Sequence, residues 1–284
     1  MLLVVAGFWG ATYLVVKDLG NSGSIGGMMA IRFVIASLGL WAYWIFKRDK
    51  FQKQEWIMGI AFGISQTVVL NLEAWSVHIT SATNGGLIIA LAIITVPILE
   101  SAWRRNWLPY KFFIATSIAI IGLVLLIMGN GFVEPNLGDL FMFIAMILRT
   151  FHFVILGRLT QGKSFSPVNL TTVMVSTSGL IMLATNPVDA VNTAMNYNAG
   201  NWISMLFLSL LCTSFSFIGM NWAVKHTSAS RASLLLGTEP VWATFIAVII
   251  GGELIGYVGA LGAIMVIGAT YWGQAIESRH RLNG

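Results

Sequence analysis

The chain has 284 residues, of which 57% are hydrophobic and 10% charged, and its formal net charge is +5. Soluble domains carry about 25% charged residues, so this composition excludes an ordinary soluble protein. The basic residues lie in short segments between apolar runs. That distribution is typical of membrane topology and argues against a nucleic-acid-binding face.

Ten apolar runs follow one another along the chain, and most are long enough to cross a hydrocarbon layer as a helix. They cover residues 2–17, 24–46, 56–74, 81–103, 109–128, 137–157, 166–184, 201–224, 230–250 and 254–275. The first run has no basic segment and no cleavage site before Lys17, so we interpret it as a membrane helix and not as a signal peptide. The sequence therefore predicts an all-α membrane protein of ten transmembrane helices.

The loops between these runs alternate in charge. One set holds most of the basic residues, namely Lys47, Arg48, Lys50, Lys53, Arg104, Arg105, Lys111, Arg158, Lys163, Lys225, Arg231, Arg279 and Arg281. The other set holds Lys17 beside the acidic residues Glu134, Asp139, Asp189 and Glu253. Because positively charged loops stay inside, we expect a protein of the inner membrane with both termini in the cytoplasm.

Two segments resemble each other at an interval of 147 residues, the first starting at Trp75 and the second at Trp222. They read Trp75-Ser-Val-His-Ile-Thr-Ser-Ala82 and Trp222-Ala-Val-Lys-His-Thr-Ser-Ala229, and each precedes an apolar helix with a proline, Pro97 or Pro240. This repeat predicts two five-helix units, residues 1–130 and 131–284, and an odd number of helices makes the second unit inverted. Inverted repeats are typical of secondary transporters that bind solute near the midplane.

Arg149 and Glu239 each lie about halfway along a predicted helix, the sixth and the ninth. A charge there costs about 2.5–3.5 kcal/mol on insertion scales and therefore needs a reason. Either the two hold opposite ends of a zwitterion, or Glu239 carries a coupling proton, or they form a structural ion pair. His152, one turn beyond Arg149, either binds solute and titrates near neutral pH or is hydrogen-bonded within the bundle.

Other polar and aromatic side chains complete the candidate site. Trp9 and Tyr13 lie one turn apart in the middle of the first helix, where they form a cavity wall, face lipid or pack. Asn84, Asn221 and Ser214 either bind solute or join helices. The candidate substrate-binding residues are therefore Arg149, His152, Glu239, Trp9, Tyr13, Asn84, Asn221 and Ser214.

Three further charged residues have ordinary structural explanations in the sequence. Glu73 is expected at a solvated outer mouth, and Arg32 is expected to have a structural role. Glu100 is expected to form a local i, i+4 pair with Arg104.

Several short motifs resemble the EamA branch of the drug/metabolite transporter superfamily. They are Phe8-Trp9-Gly10, Ile31-Arg32-Phe33, Thr227-Ser-Ala-Ser-Arg-Ala-Ser233, Glu239-Pro240-Val241 and Gly252-Glu253. The resemblance spans nearly the whole chain. It implies ten helices, a central cavity lined mainly by predicted helices 1, 3, 4, 6, 8 and 9, and export of metabolites or amino-acid-like compounds.

The sequence indicates no enzyme. It contains no HExxH or GxSxG motif, and Cys212, the single cysteine, has no histidine nearby. We expect a secondary transporter, without cofactor or metal and functional as a monomer in membrane lipid, that exports small metabolites such as amino acids by alternating access. The alternative is efflux of organic cations or drugs, which becomes the first expectation if Arg149 faces lipid or pairs elsewhere than with Glu239.

Overall fold

The computed structural model describes residues 1–20, 22–80, 85, 88–127, 136–250 and 256–283, and this part of the chain is helical without strands. The helices are α1 (Leu2–Gly20), α2 (Ile25–Lys47), α3 (Lys53–Ile79), α4 (Ala92–Arg104), α5 (Tyr110–Ile127), α6 (Leu137–Thr160), α7 (Pro167–Thr185), α8 (Pro187–Asn196), α9 (Ala199–His226), α10 (Ala229–Leu236), α11 (Glu239–Ile249) and α12 (Tyr257–Asn283). Within these ranges six helices, α2, α3, α6, α7, α9 and α12, are long and apolar enough to cross a membrane.

Two expectations about the elements are corrected. The polar stretch Thr185–Asn201, predicted as a loop, contains α8, which has Pro187 in its first turn, where proline is favourable. Predicted helix 9 is two helices, α10 and α11, separated at Gly237 and Thr238. Pro240 lies in the first turn of α11, so it starts a helix instead of kinking one. Predicted helices 8 and 10 correspond to α9 and α12.

Short polar side chains fix where several helices begin. Ser24 accepts from the amide of Gly27 at the start of α2, and Ser166 accepts from that of Asn169 at the start of α7. Asn136 and Asp139 form a reciprocal capping box before α6. Such caps satisfy amides that have no partner within the helix, and they stop each apolar run at a defined residue.

The helices pack in two groups: those that surround the cavities, and a side pair formed by α5 and α12. α3 packs between α6 and α7, α2 lies on α7, α4 contacts α6 and α10, and α1 lies along α11. α12 instead runs along α5, where a Cβ on Gly262 would lie 2.5 Å from the carbonyl oxygen of Gly122. Only glycine permits that backbone contact. The α5–α12 pair therefore stands beside the cavities described next.

Candidate functional site

Gly10 brings α1 into backbone contact with α11. A Cβ at this position would lie 2.7 Å from the amide nitrogen of Ala243 and 3.0 Å from the carbonyl oxygen of Glu239. These are backbone atoms that cannot move aside, so the approach requires glycine. As a result Trp9, the residue before Gly10, shares a cavity wall with Glu239.

The first cavity, which we call the Pro240 chamber, lies between α1, α4, α6, α10 and α11. Its cavity volume is about 80 Å³. Its lining residues include Trp9, Ile93, Val96, Arg149, Phe153, Ser233, Leu236, Gly237, Glu239 and Pro240. An apolar wall with a few polar groups suits a small organic solute.

A second cavity, the Glu73 chamber, has a volume of about 330 Å³ and meets the first at Trp9, Ile89, Arg149 and Glu239. Its further lining residues include Thr12, Met29, Arg32, Leu70, Glu73, Met142 and Phe217. A third and smaller cavity, the Gln66 pocket, has a volume of about 30 Å³ and meets the others at Trp9 and Arg149. Gln66, Val69, Leu70, His152, Phe153, Phe217 and Met220 complete its lining.

The helices around these cavities include those predicted from the sequence. α1, α3, α4, α6, α9 and the α10–α11 pair each contribute lining residues, and α2 adds Met29 and Arg32. No described residue of α5, α7 or α12 lines the three cavities. The side pair α5–α12 is thus separate from the candidate site.

Arg149 forms an ion pair with Glu73, with 3.3 Å between Nη1 and Oε1. The Arg149 side chain is 26% exposed and that of Glu73 18%, so both face the Glu73 chamber without being fully solvated. The expectation that Glu73 lies at a solvated mouth is therefore wrong. Glu239 lines both chambers together with Arg149, and Arg32 lines the Glu73 chamber, so two cations and two carboxylates share that space.

A π-helical segment of α9, Leu210–Phe215, accepts hydrogen bonds from two side chains that line the cavities. Trp9 donates its indole N–H to the carbonyl of Cys212 at 3.0 Å, and Arg32 donates from Nε to Thr213 Oγ1 at 2.7 Å. π-Segments occur often at functional sites because their wider turn redirects side chains and carbonyls. Sequence reasoning missed this segment; its trace in the sequence is the group of hydroxyl residues Thr213, Ser214 and Ser216 within an apolar helix.

The remaining candidates are spread more widely. His152 contacts Ser65 Oγ through Nδ1 at 3.2 Å and packs edge-on against Phe62 on the wall of the Gln66 pocket. Ser214 donates to the carbonyl of Ala36 at 3.0 Å, and Asn221 donates to Thr171 at 2.8 Å. These two side chains join helices and are not among the residues lining the three cavities.

Two candidates cannot be placed in the site. Asn84 lies outside the described residues. Tyr13 lies in α1, but its side chain falls outside the described part of the structure.

One stretch has the spacing of a nucleotide-binding P-loop, namely Gly157-Arg-Leu-Thr-Gln-Gly-Lys-Ser164. A P-loop needs a strand before the motif and a helix opening at its end. Here Gly157–Thr160 is the last turn of α6, and the motif follows a transmembrane segment. The spacing therefore has no phosphate-binding context.

Membrane-spanning helices around internal chambers with few polar groups are the architecture of a membrane transporter. The chain belongs to the EamA-like transporter family, which matches residues 1–128 and again residues 136–272. The resemblance to the EamA branch is thereby confirmed. The protein is an integral membrane transporter of this family.

Known relatives agree with this assignment over nearly the full length. A protein of Archaeoglobus fulgidus named "Uncharacterized transporter" is 25% identical over 279 residues, covering 94% of this chain and 82% of the relative. "Uncharacterized transporter YyaM" of Bacillus subtilis (strain 168) is 26% identical over 287 residues, covering 94% and 90%. A solved crystal structure superposes with a TM-score of 0.77 at 15% identity, covering 98% of this chain and 96% of that chain, and shows the same fold.

Proposed function

We propose that the protein is a secondary transporter that exports a small zwitterion, such as an amino acid, by alternating access. The observation that carries this proposal is the position of Arg149, which faces both chambers together with Glu239. A guanidinium matches a carboxylate through two parallel hydrogen bonds, and Glu239 offers an oxygen acceptor to an ammonium. Trp9 supplies an aromatic wall between them.

The charge of the site also supports a zwitterion. Among the described residues, the charged ones that line the two chambers are Arg32 and Arg149, and Glu73 and Glu239, so their formal charges cancel. A zwitterion adds no net charge to this space. An organic cation adds one charge, which is costly at the depth of a membrane interior.

Efflux of organic cations is the second candidate, and a specific observation favours it. Arg149 pairs with Glu73, the kind of alternative pairing that the sequence analysis associated with a cation. A cation would then lie between Glu239 and the ring of Trp9, where both charge and cation–π attraction are favourable. The two candidates differ in whether Arg149 contacts the solute.

The transport test uses purified protein in proteoliposomes, with labelled amino acids and tetraphenylphosphonium as solutes. Arg149→Lys is expected to lower amino-acid transport about 10- to 100-fold, because an ammonium cannot reproduce the bidentate contact. Arg158→Lys is the matched control, since Arg158 lies on the same helix with its guanidinium 4.9 Å from the Trp103 ring. Unchanged amino-acid transport by Arg149→Lys, or transport of the cation alone, would reject the zwitterion.

We further propose ten transmembrane helices in two inverted units, residues 1–130 and 131–284, with both termini in the cytoplasm of an inner-membrane protein. The two successive family matches and the alternating loop charge support this arrangement. A single copy of the chain encloses the chambers, which supports function as a monomer.

Single cysteines test this topology. The buried Cys212 is replaced by alanine, and cysteines are introduced at the exposed positions Lys50, Lys163 and Asp189. A membrane-impermeant maleimide is expected to label Lys50→Cys and Lys163→Cys only from the cytoplasmic side, and Asp189→Cys only from outside. Labelling of Lys50→Cys and Asp189→Cys from the same side contradicts the proposed arrangement.

A further inference from the structure

Gln66 is a buried amide whose hydrogen bonds are not satisfied. It lies on α3 with 5% of its surface exposed, and neither Oε1 nor Nε2 has a hydrogen-bond partner among the described residues. Leaving a buried polar group unpaired costs about 1–3 kcal/mol, and such groups are rare in folded proteins. The partner of this amide is therefore either an ordered water or a polar group of a ligand.

Neighbouring polar residues on α3 show that the helix can satisfy such groups locally. Thr67 donates to the carbonyl of Gly63 at 2.8 Å, and Asn71 donates to the carbonyl of Thr67 at 2.8 Å. Ser65, on the other side of Gln66, contacts His152. Among the described residues, the Gln66 side chain makes neither kind of hydrogen bond, although it is long enough to reach a backbone carbonyl of its own helix.

The surroundings of Gln66 favour a ligand group as the missing partner. Gln66 lines a pocket whose other walls are mostly apolar, including Val69, Phe217 and Met220. This pocket meets the two chambers at Trp9 and Arg149, next to the proposed carboxylate site. A solute held by Arg149 would thus present its side chain to the Gln66 pocket.

The chemistry of the pocket restricts that side chain. Its walls suit a short apolar stem, and its end carries both a donor and an acceptor. A second primary amide satisfies both through two reciprocal hydrogen bonds, because its donor and acceptor lie on two separate atoms, whereas a hydroxyl offers both functions on a single oxygen. A cationic side chain is disfavoured, because the one charged residue lining this pocket in the described structure is Arg149.

We infer that the Gln66 pocket is the side-chain subsite of the transporter and that it selects a zwitterion with a carboxamide side chain, of the glutamine and asparagine type. This inference rests on the proposed function, since Arg149 must hold the carboxylate. The pocket then determines which amino acid is bound, while Arg149 and Glu239 determine that an amino acid is bound.

The test compares glutamine with norleucine, which has a similar length and no amide. Binding is measured as ligand-induced stabilisation of the purified protein and as competition for transport. The parent is expected to prefer glutamine about 10- to 100-fold, because two buried hydrogen bonds are made with one ligand and left unmade with the other. Gln66→Met is expected to abolish or invert this preference without lowering stability, since it removes two unpaired groups.

Asn71→Leu is the control, since Asn71 lies on the same helix and bonds to its own backbone; it is expected to keep the preference of the parent. An unchanged glutamine-to-norleucine ratio in Gln66→Met, or a parent that prefers norleucine, overturns the proposed subsite.

The variant Arg149→Lys distinguishes failure of the subsite from failure of the proposed function. If Arg149→Lys weakens both ligands while Gln66→Met leaves the ratio unchanged, the zwitterion site stands and the subsite falls. If Arg149→Lys weakens neither, the proposed function itself is wrong.

Discussion

Replacing Arg149 with leucine is expected to lower the free energy of unfolding by about 2–4 kcal/mol, because Glu73 then loses its ion-pair partner inside the bundle. The cost stays below that of a fully buried pair, since the Glu73 side chain is 18% exposed. Glu73→Leu is expected to cost less, because Arg149 interacts with more than Glu73. The free energies of unfolding of the parent, Arg149→Leu and Glu73→Leu are measured by unfolding in mixed detergent micelles.

The double variant Arg149→Leu, Glu73→Leu is expected to recover most of the loss, with a coupling energy of at least about 1 kcal/mol. Arg158 provides the control cycle with Glu73. It lies nine residues further along α6, about 13 Å by helical rise, and contacts Trp103. The effects of Arg158→Leu and Glu73→Leu should therefore add. Additive effects of Arg149→Leu and Glu73→Leu would mean that the ion pair contributes nothing.

The same cycle bears on why the pair exists. Hydrophobic residues can replace a buried ion pair at little cost in stability, so stability alone does not explain two charges inside a membrane bundle. Under the proposed function, a solute carboxylate takes the place of Glu73 on Arg149. The double-leucine variant should then be stable and inactive in amino-acid transport.

Most helix positions could be predicted because a membrane helix requires an uninterrupted apolar run. The predicted run 24–46 is observed as Ile25–Lys47, and 166–184 as Pro167–Thr185. The break in predicted helix 9 was not recognised, since Gly237 and Thr238 are apolar or neutral enough to continue the run. α8 was missed because its polar composition gives no membrane signal.

The candidate site was predicted less completely. Depth along a helix follows from the sequence, which identified Arg149 and Glu239, but the partner of a charge depends on helix rotation and packing. The predicted run 56–74 placed Glu73 at its end, whereas α3 continues to Ile79 and carries Glu73 well inside the helix. Gln66 was overlooked because a single amide in an apolar run has no distinctive pattern; only its missing partners distinguish it.

Glu100 has a larger role than its local pair with Arg104. The predicted pair is present, with 3.1 Å between Arg104 Nε and Glu100 Oε1. Glu100 also accepts from the amide of Ser230 at 2.7 Å, from its hydroxyl at 2.5 Å and from the amide of Ala229 at 3.4 Å. A carboxylate on α4 thus caps the first turn of α10, where a negative charge is favourable.

The contact between Glu100 and Ser230 lies next to two cavities. Val96, one turn before Glu100, and Ser233, one turn after Ser230, both line the Pro240 chamber. Glu100 and Ser230 themselves line a different cavity, together with Asn106 and His280. Loss of this contact should therefore both destabilise the protein and join the two spaces.

Glu100→Ala is expected to cost about 2–4 kcal/mol of unfolding free energy, because the buried amide and hydroxyl of Ser230 lose their acceptor. Arg104→Ala, which breaks only an ion pair whose arginine is 45% exposed, is expected to cost at most about 1 kcal/mol. The stability of Glu100→Gln should lie between those of the two alanine variants, since it retains an acceptor oxygen without the charge.

Labelling of a cysteine in the Pro240 chamber tests whether the two cavities join. In a Cys212→Ala background, maleimide labelling of Ser233→Cys from the Glu100 side should rise in Glu100→Ala and stay low in Arg104→Ala. Equal stability losses in the two variants would assign Glu100 to its local pair alone, and unchanged labelling would show that other contacts separate the cavities.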